Sequence, residues 1–360
     1  MTGRVRLTLA LAALALGAAG LAHASERPIG RDHPAVRFIE GLPSYAPDER
    51  VSGSISLWGH GSFKRDFMGG LVKAWIAEFR RHQPDVTFDY RMYGTASAIG
   101  ALYTGAGDIA ILGEEISPAA KRAFERARGY PPTGFEIATG SVDANFYDYA
   151  HMIFVHKDNP LRGLSLGQLE AIFGVDGRRG REPVRTWSQL GLTGDWADKA
   201  IQPYGWKTDV DFALFFRERV LEGSHRWNPA IVELVHGKHA DGRQYDHGQR
   251  IIDALARNRH GIAISNVRYA VPDVRALPLA WDDDGPYVHA TPATLIAQSY
   301  PLTRVIPAYV DLPPGAPLEP AQREFLRFLL SREGQRALVE HSGYLPLGPA
   351  VRARELARLR

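Results

Sequence analysis

Ser54-Ile55-Ser56-Leu57-Trp58, then Gly59-His60-Gly61-Ser62-Phe63, then Phe67, Leu71, Trp75 and Phe79: the reading of this stretch decides the fold. In its first part Ile55 and Leu57 alternate with serines, the period of a half-buried strand. Glycines and a serine then turn the chain. The apolar residues that follow recur every four positions, the spacing of one helical face, and Pro84 stops that helix. The same grammar recurs twice. Val86 to Arg91 reads as a strand, Gly94-Thr95-Ala96-Ser97 as a turn, and the stretch through Ile99, Leu102 and Tyr103 as a helix. Asp108 to Leu112 reads as a third strand ended by Gly113-Glu114-Glu115, with Pro118 opening another helix. Strand, loop and helix, three times over, predict an α/β domain with a mostly parallel sheet.

Further along, residues 150–157 read as a strand, followed by Asp158-Asn159-Pro160. Proline cannot continue a central ladder, so the chain is expected to cross into a second domain there. Helices are expected at 165–172, 210–221 and 248–258, and Gly261-Ile262-Ala263-Ile264-Ser265 reads as the strand that carries the chain back. The last helix runs from Pro320 to about His341, with Phe325, Phe328, Leu329 and Leu338 on one face. This organisation predicts lobe I from 51–157 plus 266–360 and lobe II from 158–265, a hinged clamshell. Residues 25–50, rich in Pro, Arg and Asp without a periodic pattern, read as an extended N-terminal arm.

The N-terminus reads as a signal peptide. Arg4 and Arg6 precede an apolar run from Leu7 to Leu21, and Ala22-His23-Ala24 forms an A-x-A cleavage site. The run is short of the roughly 20 residues that span a bilayer. Cleavage after Ala24 leaves a mature chain beginning at Ser25, of about 335 residues, the size of two domains. The chain has no cysteine, so neither a lipid on an N-terminal Cys nor a disulfide is available. The formal net charge is +3, and the charges are interspersed, with no basic run for nucleic acid. A freely soluble periplasmic monomer is expected.

Three loops carry candidate chemistry, each at the carboxyl end of an expected strand, where open α/β sheets bind ligands. In the first, glycines let the backbone approach a ligand, helix-start N–H groups favour an anion, and Ser62 adds a hydroxyl. The second repeats this with Thr95 and Ser97. Each loop taken singly also reads as an ordinary helix cap; two in succession point to a site. Enzyme motifs are sparse: there is no Cys nucleophile, HExxH or P-loop. His236, His239 and His247, with Asp241 and Asp246, have a spacing open to metal ligation, but the segment reads better as a polar loop. Asp282-Asp283-Asp284-Gly285 lacks the spaced carboxylates of a calcium loop and reads as a turn. Neither a metal nor a cofactor is expected.

Several stretches resemble the periplasmic phosphate-binding proteins of ABC transporters. They are Gly61-Ser62-Phe63 before Lys73-Ala74-Trp75; Tyr93-Gly94-Thr95-Ala96-Ser97; Gly107-Asp108-Ile109-Ala110-Ile111; the phrase from Leu164-Ser165-Leu166 to Ile172-Phe173-Gly174; and the ending from Phe325 through Gly343-Tyr344-Leu345-Pro346-Leu347. In order along the chain, these landmarks span most of 54–348. The resemblance implies two α/β lobes joined by a hinge with the ligand cleft between them. It also implies a binding protein, not an enzyme, that captures phosphate or a related oxyanion for an ABC permease in the inner membrane. By the same resemblance the ligand contacts are Ser62 and Phe63, a second-loop hydroxyl from Thr95 or Ser97, and Glu114 (Glu115 beside it) accepting a hydrogen bond from protonated phosphate. Read alone, the two glutamates fit a solvated loop or a helix N-terminal charge equally well.

The second lobe departs from the family. Where relatives carry an Arg and a Ser-Gly-Thr turn, this chain has Tyr204-Gly205-Trp206-Lys207-Thr208-Asp209-Val210-Asp211. Lys207 and Thr208 are the nearest substitutes. A Lys is a point charge where Arg offers a bidentate fork, and Asp209 and Asp211 repel an anion. Trp206, Trp58 and Tyr93 offer another pocket, aromatic-walled, for an organic or phosphorylated ligand. Two other functions fit the fold: a sensor or adaptor for a membrane receptor, and a phosphate-ester hydrolase using Ser62 and Glu114.

Overall fold

The computed structural model describes residues 34–60, 67–140, 150–209 and 211–359. The signal peptide and the Ser62 and Phe63 assignments lie outside the described residues. Gly53–Gly59 is a strand, and the serine alternation does what its period requires: Ile55 and Leu57 are fully buried while Ser54 is exposed. It pairs in parallel with Val86–Arg91 on one side and Ile109–Ile111 on the other. Val305–Val310 then lies antiparallel to Ile109–Ile111 and to Thr133–Thr139, completing five strands. The helix Phe67–His82 covers this sheet, and Leu71, Trp75 and Phe79 are fully buried. Burying each such side chain contributes about 1.5–3 kcal/mol. The buried Trp75 Nε1 donates to the Gly334 carbonyl at 2.8 Å, tying this helix to the C-terminal part of the chain.

A second five-stranded sheet has the order Val274–Ala276, Met152–His156, Gly261–Ser265, Gln202–Gly205, Val232–Glu233. Leu166–Phe173, Asp211–Arg219 and His247–Ala256 are its expected helices. The boundaries expected from sequence shift here. Met152–His156 belongs to the second sheet, so the chain crosses before it and not at Pro160. The return also comes later than 265, because Val274–Ala276 is an edge strand of the second sheet and Leu277, Leu279, Leu295 and Ile296 bury in its core. An apolar run such as Met152-Ile153-Phe154-Val155 specifies a central strand but carries no mark of which sheet receives it.

The N-terminal arm is not wholly extended. Pro34–Glu40 is a helix whose Ala35 and Ile39, four apart, are buried. Tyr45 then packs edge-on against Phe328, and its hydroxyl donates to Glu324 at 2.6 Å. Two buried positions in seven residues are too few to register as a period. The expected last helix is two, Pro320–Leu329 and Arg332–His341, broken where Ser331 accepts from the Gly334 amide and caps the second. Each sheet has its own core, so the molecule is two α/β lobes with a cleft between them. Among the described residues, no helix is long and apolar enough to cross a membrane.

Candidate functional site

Parallel pairing places Gly59, Arg91 and Ile111 at one edge of the first sheet, so the loops that follow them meet there. The Gly94 amide donates to the Gly59 carbonyl at 2.9 Å, and the Gly113 amide donates to Thr95 Oγ1 at 3.3 Å. Gly94 has φ 126°, a conformation a side chain would strain, at the start of the Thr95–Thr104 helix. A Cβ on Gly113 would come within 2.4 Å of the His60 ring, so glycine there lets the first and third loops close on each other. Thr95, Ser97 and Glu114 thus belong to one loop cluster. The Ser97 hydroxyl donates to the Gly94 carbonyl at 2.8 Å, whereas Thr95 Oγ1 acts as an acceptor towards Gly113.

Glu114 and Glu115 hold a cation that sequence reasoning missed. Arg304 Nη2 lies 3.3 Å from Glu114 Oε2 and 3.1 Å from Glu115 Oε2, and the Val305 amide donates to Glu115 Oε1 at 3.1 Å. The Arg304 side chain is only 4% exposed, so leaving it without carboxylates would cost several kcal/mol. Its guanidinium also lies 5.3 Å from the centre of the Phe215 ring, in the second lobe. The neighbouring Pro118–Arg128 helix is capped by Ser117, which accepts from the Ala120 amide at 3.1 Å.

In the second lobe, Lys207 Nζ meets Asp209 at 2.7 Å, an exposed pair that raises the lysine pKa above its ordinary value. The Thr208 amide and hydroxyl both donate to Glu233 Oε1, at 2.9 and 2.6 Å. Both residues are therefore engaged by carboxylates. Trp206 is buried against His151, with ring centres 4.8 Å apart, while Trp58 contacts Tyr93 in the first lobe. Among the described residues Trp206 thus packs in the second lobe's core, and Trp58 and Tyr93 pair in the first lobe.

Arg219, at the end of the Asp211–Arg219 helix, is set differently. Its guanidinium stands 5.5 Å from the Phe215 ring centre and 5.3 Å from that of Trp281, with Nη1 donating to the Pro301 carbonyl at 3.3 Å. Burial lowers its pKa, against which the nearby charge of Glu115 acts. Glu114, Glu115, Phe215, Arg219, Trp281 and Arg304 line one interlobe cleft of about 570 Å³. Thr208 and Asp209 line a neighbouring cavity of about 480 Å³ beside Ser117 and Arg122. No sequence signal links Arg304 or Arg219 to Glu114, since the three lie on segments about a hundred residues or more apart.

The histidine segment is a stacked surface. His236 lies 4.1 Å from His247 and His239 4.3 Å from Tyr245, ring centre to ring centre. Burial, then the charge of His236, lower the His247 pKa to about 4. No cluster of three metal-ligating side chains occurs among the described residues. Asp283 pairs with Arg181 at 2.6 Å and accepts from Ser165, a fixed turn.

Two α/β lobes facing each other across a cleft, with a strand-end loop on its wall, define the binding-protein class of fold. Residues 66–333 match the PBP superfamily domain. Over 358 residues the chain is 30% identical to the phosphate-binding protein PstS of two Pseudomonas aeruginosa strains, covering 99% of this chain and 99% of each of theirs. The crystal structure of PstS from Borrelia burgdorferi matches with a TM-score of 0.53 at 13% identity, covering 83% of this chain and 99% of that one. That likeness concerns the fold alone. The chain belongs to the PBP superfamily, within the family of phosphate-binding solute receptors of ABC transporters.

Proposed function

We propose that this protein captures phosphate or a related oxyanion in the interlobe cleft and delivers it to an ABC importer, after export to the periplasm. The observation that carries this reading is the convergence of three strand-end loops at one edge of the first sheet, with Glu114 of the third loop lining the cleft. Identity to PstS along nearly the whole chain supports it. Helix-start amides and the Ser62 hydroxyl and Phe63 amide donate to the anion. Thr95 supplies the second-loop hydroxyl, since the Ser97 proton is already directed at Gly94. Glu114 accepts from the P–OH of hydrogen phosphate, a bond that fully ionised sulfate cannot offer. The segments joining the lobes act as the hinge on which the cleft closes.

Calorimetric titration of the exported protein with phosphate and with sulfate tests this. Saturable phosphate binding that equimolar sulfate does not displace is expected, with no turnover of a chromogenic phosphate ester. Absence of phosphate binding overturns the reading. Intact mass of the exported protein should begin at Ser25.

A further inference from the structure

We infer that Arg219 supplies the second lobe's cation for the oxyanion, its guanidinium fork meeting two oxygens of the ligand in the cleft. The inference rests on the proposed function and names the residue that completes it.

Availability is the first ground. A guanidinium has five N–H donors, and in Arg219 the Pro301 carbonyl takes one of them at 3.3 Å. Among the described residues no carboxylate lies within ion-pair distance of it. The other cations of this cleft are committed. Arg304 is held by Glu114 and Glu115; Arg179 donates to the Val220 and Arg219 carbonyls and sits 3.5 Å from Glu222.

Orientation is the second. Phe215 precedes Arg219 by four positions, one helical turn, and so lies alongside it, while Trp281 stands as a second wall. The indole Nε1 donates to the Ser299 carbonyl at 3.0 Å, which fixes that wall. The guanidinium is thus held between two rings on the same cleft as Glu114. A fork matches a tetrahedral oxyanion two oxygens at a time.

Electrostatics is the third. Removing a cation from water is costly unless a counter-charge follows it; burial acts first against the charged form here, and the charges of Glu115 and Glu136 in its favour and of Arg179 against it leave the pKa lowered. An oxyanion in the cleft is a counter-charge at contact distance, which no carboxylate among the described residues supplies. The helix C-terminus also favours a cation at this position.

The test is a titration of wild type, Arg219→Met and Arg219→Lys with inorganic phosphate, each with a melting curve without phosphate. Arg219→Met should lose roughly 30-fold or more in affinity, as truncation of one partner of a buried charge pair does. Its phosphate-free melting temperature should stay at or above that of wild type, because a desolvated charge has been removed; a mere strut would lower it. Arg219→Lys, which keeps the charge but not the fork, should lose about tenfold. Affinity within about threefold of wild type in either variant overturns the inference and leaves the proposed function standing. Failure of wild type to bind phosphate overturns both.

Discussion

Lys207 stands just before the Asp211–Arg219 helix, half exposed, with Asp209 2.7 Å from its Nζ. Arg219 stands at the far end, held between Phe215 and Trp281, with a single carbonyl for company. The near end sits where the family's motif would put a cation, and there the charge is answered by its own neighbours. The far end carries no motif, and there the charge is half-buried and turned to the cleft. Position along a motif fixes where a charge enters the chain; burial and partners decide whether it is available to a ligand.

That contrast can be broken most strongly at Phe215, which is 5% exposed and carries Arg219, Arg304 and His151 around its ring. Phe215→Ala should cost about 3–5 kcal/mol in urea denaturation, while leaving the Lys207–Asp209 pair untouched. A loss below about 1 kcal/mol would mean that the far end is not built on this ring. Arg304→Gln comes next. It leaves Glu114 and Glu115 facing the cleft without their cation, at about 3 kcal/mol, the lower end for a broken buried pair because both glutamates keep part of their exposure. Retention of full stability would show that the clamp is incidental.

His151 sharpens the comparison through pH. It is buried against Trp206 and Phe215, and its ring nitrogens find no hydrogen-bond partner among the described residues. Burial, then the charge of Arg304, hold its pKa well below 6.5. Below that pH the unfolded chain takes up a proton that the folded one refuses, so stability falls with falling pH and is unaffected above it. The slope is up to about 1.4 kcal/mol per pH unit for each such site. His247, at about 4, adds the same sign between 6.5 and 4. In His151→Phe the fall from pH 6.5 to 5 should be shallower than in wild type, as read from melting temperatures. Parallel curves would place the His151 proton uptake elsewhere. The smallest effect belongs to Lys207→Ala. An exposed pair is worth about 0–1 kcal/mol, so stability and phosphate affinity should both stay near wild type, and a large loss of affinity would reverse the roles of the two helix ends.

Much of this protein is legible along the chain. The strand at Ile55 and Leu57, the helix at Leu71, Trp75 and Phe79, and the turns at Gly94 and Gly113 follow from periods of two and 3.6 and from glycine's backbone freedom. These are local properties, which also fix that three loops stand at strand ends. The break at Ser331 and the buried Ala35 and Ile39 have only faint local signals: a single capping serine and two apolar positions. The strand Met152–His156 is legible as a strand, but the sheet that receives it depends on edges offered by Gly261–Ser265 and Val274–Ala276. The cleft was decided only by tertiary structure. Arg304 reaches Glu114 across 190 residues, and Trp281 reaches Arg219 from a separate segment. Whether a cation is neutralised or left to a ligand depends on those approaches within a few ångströms, because charge interactions are settled by distance and burial, and neither is written in the order of the residues.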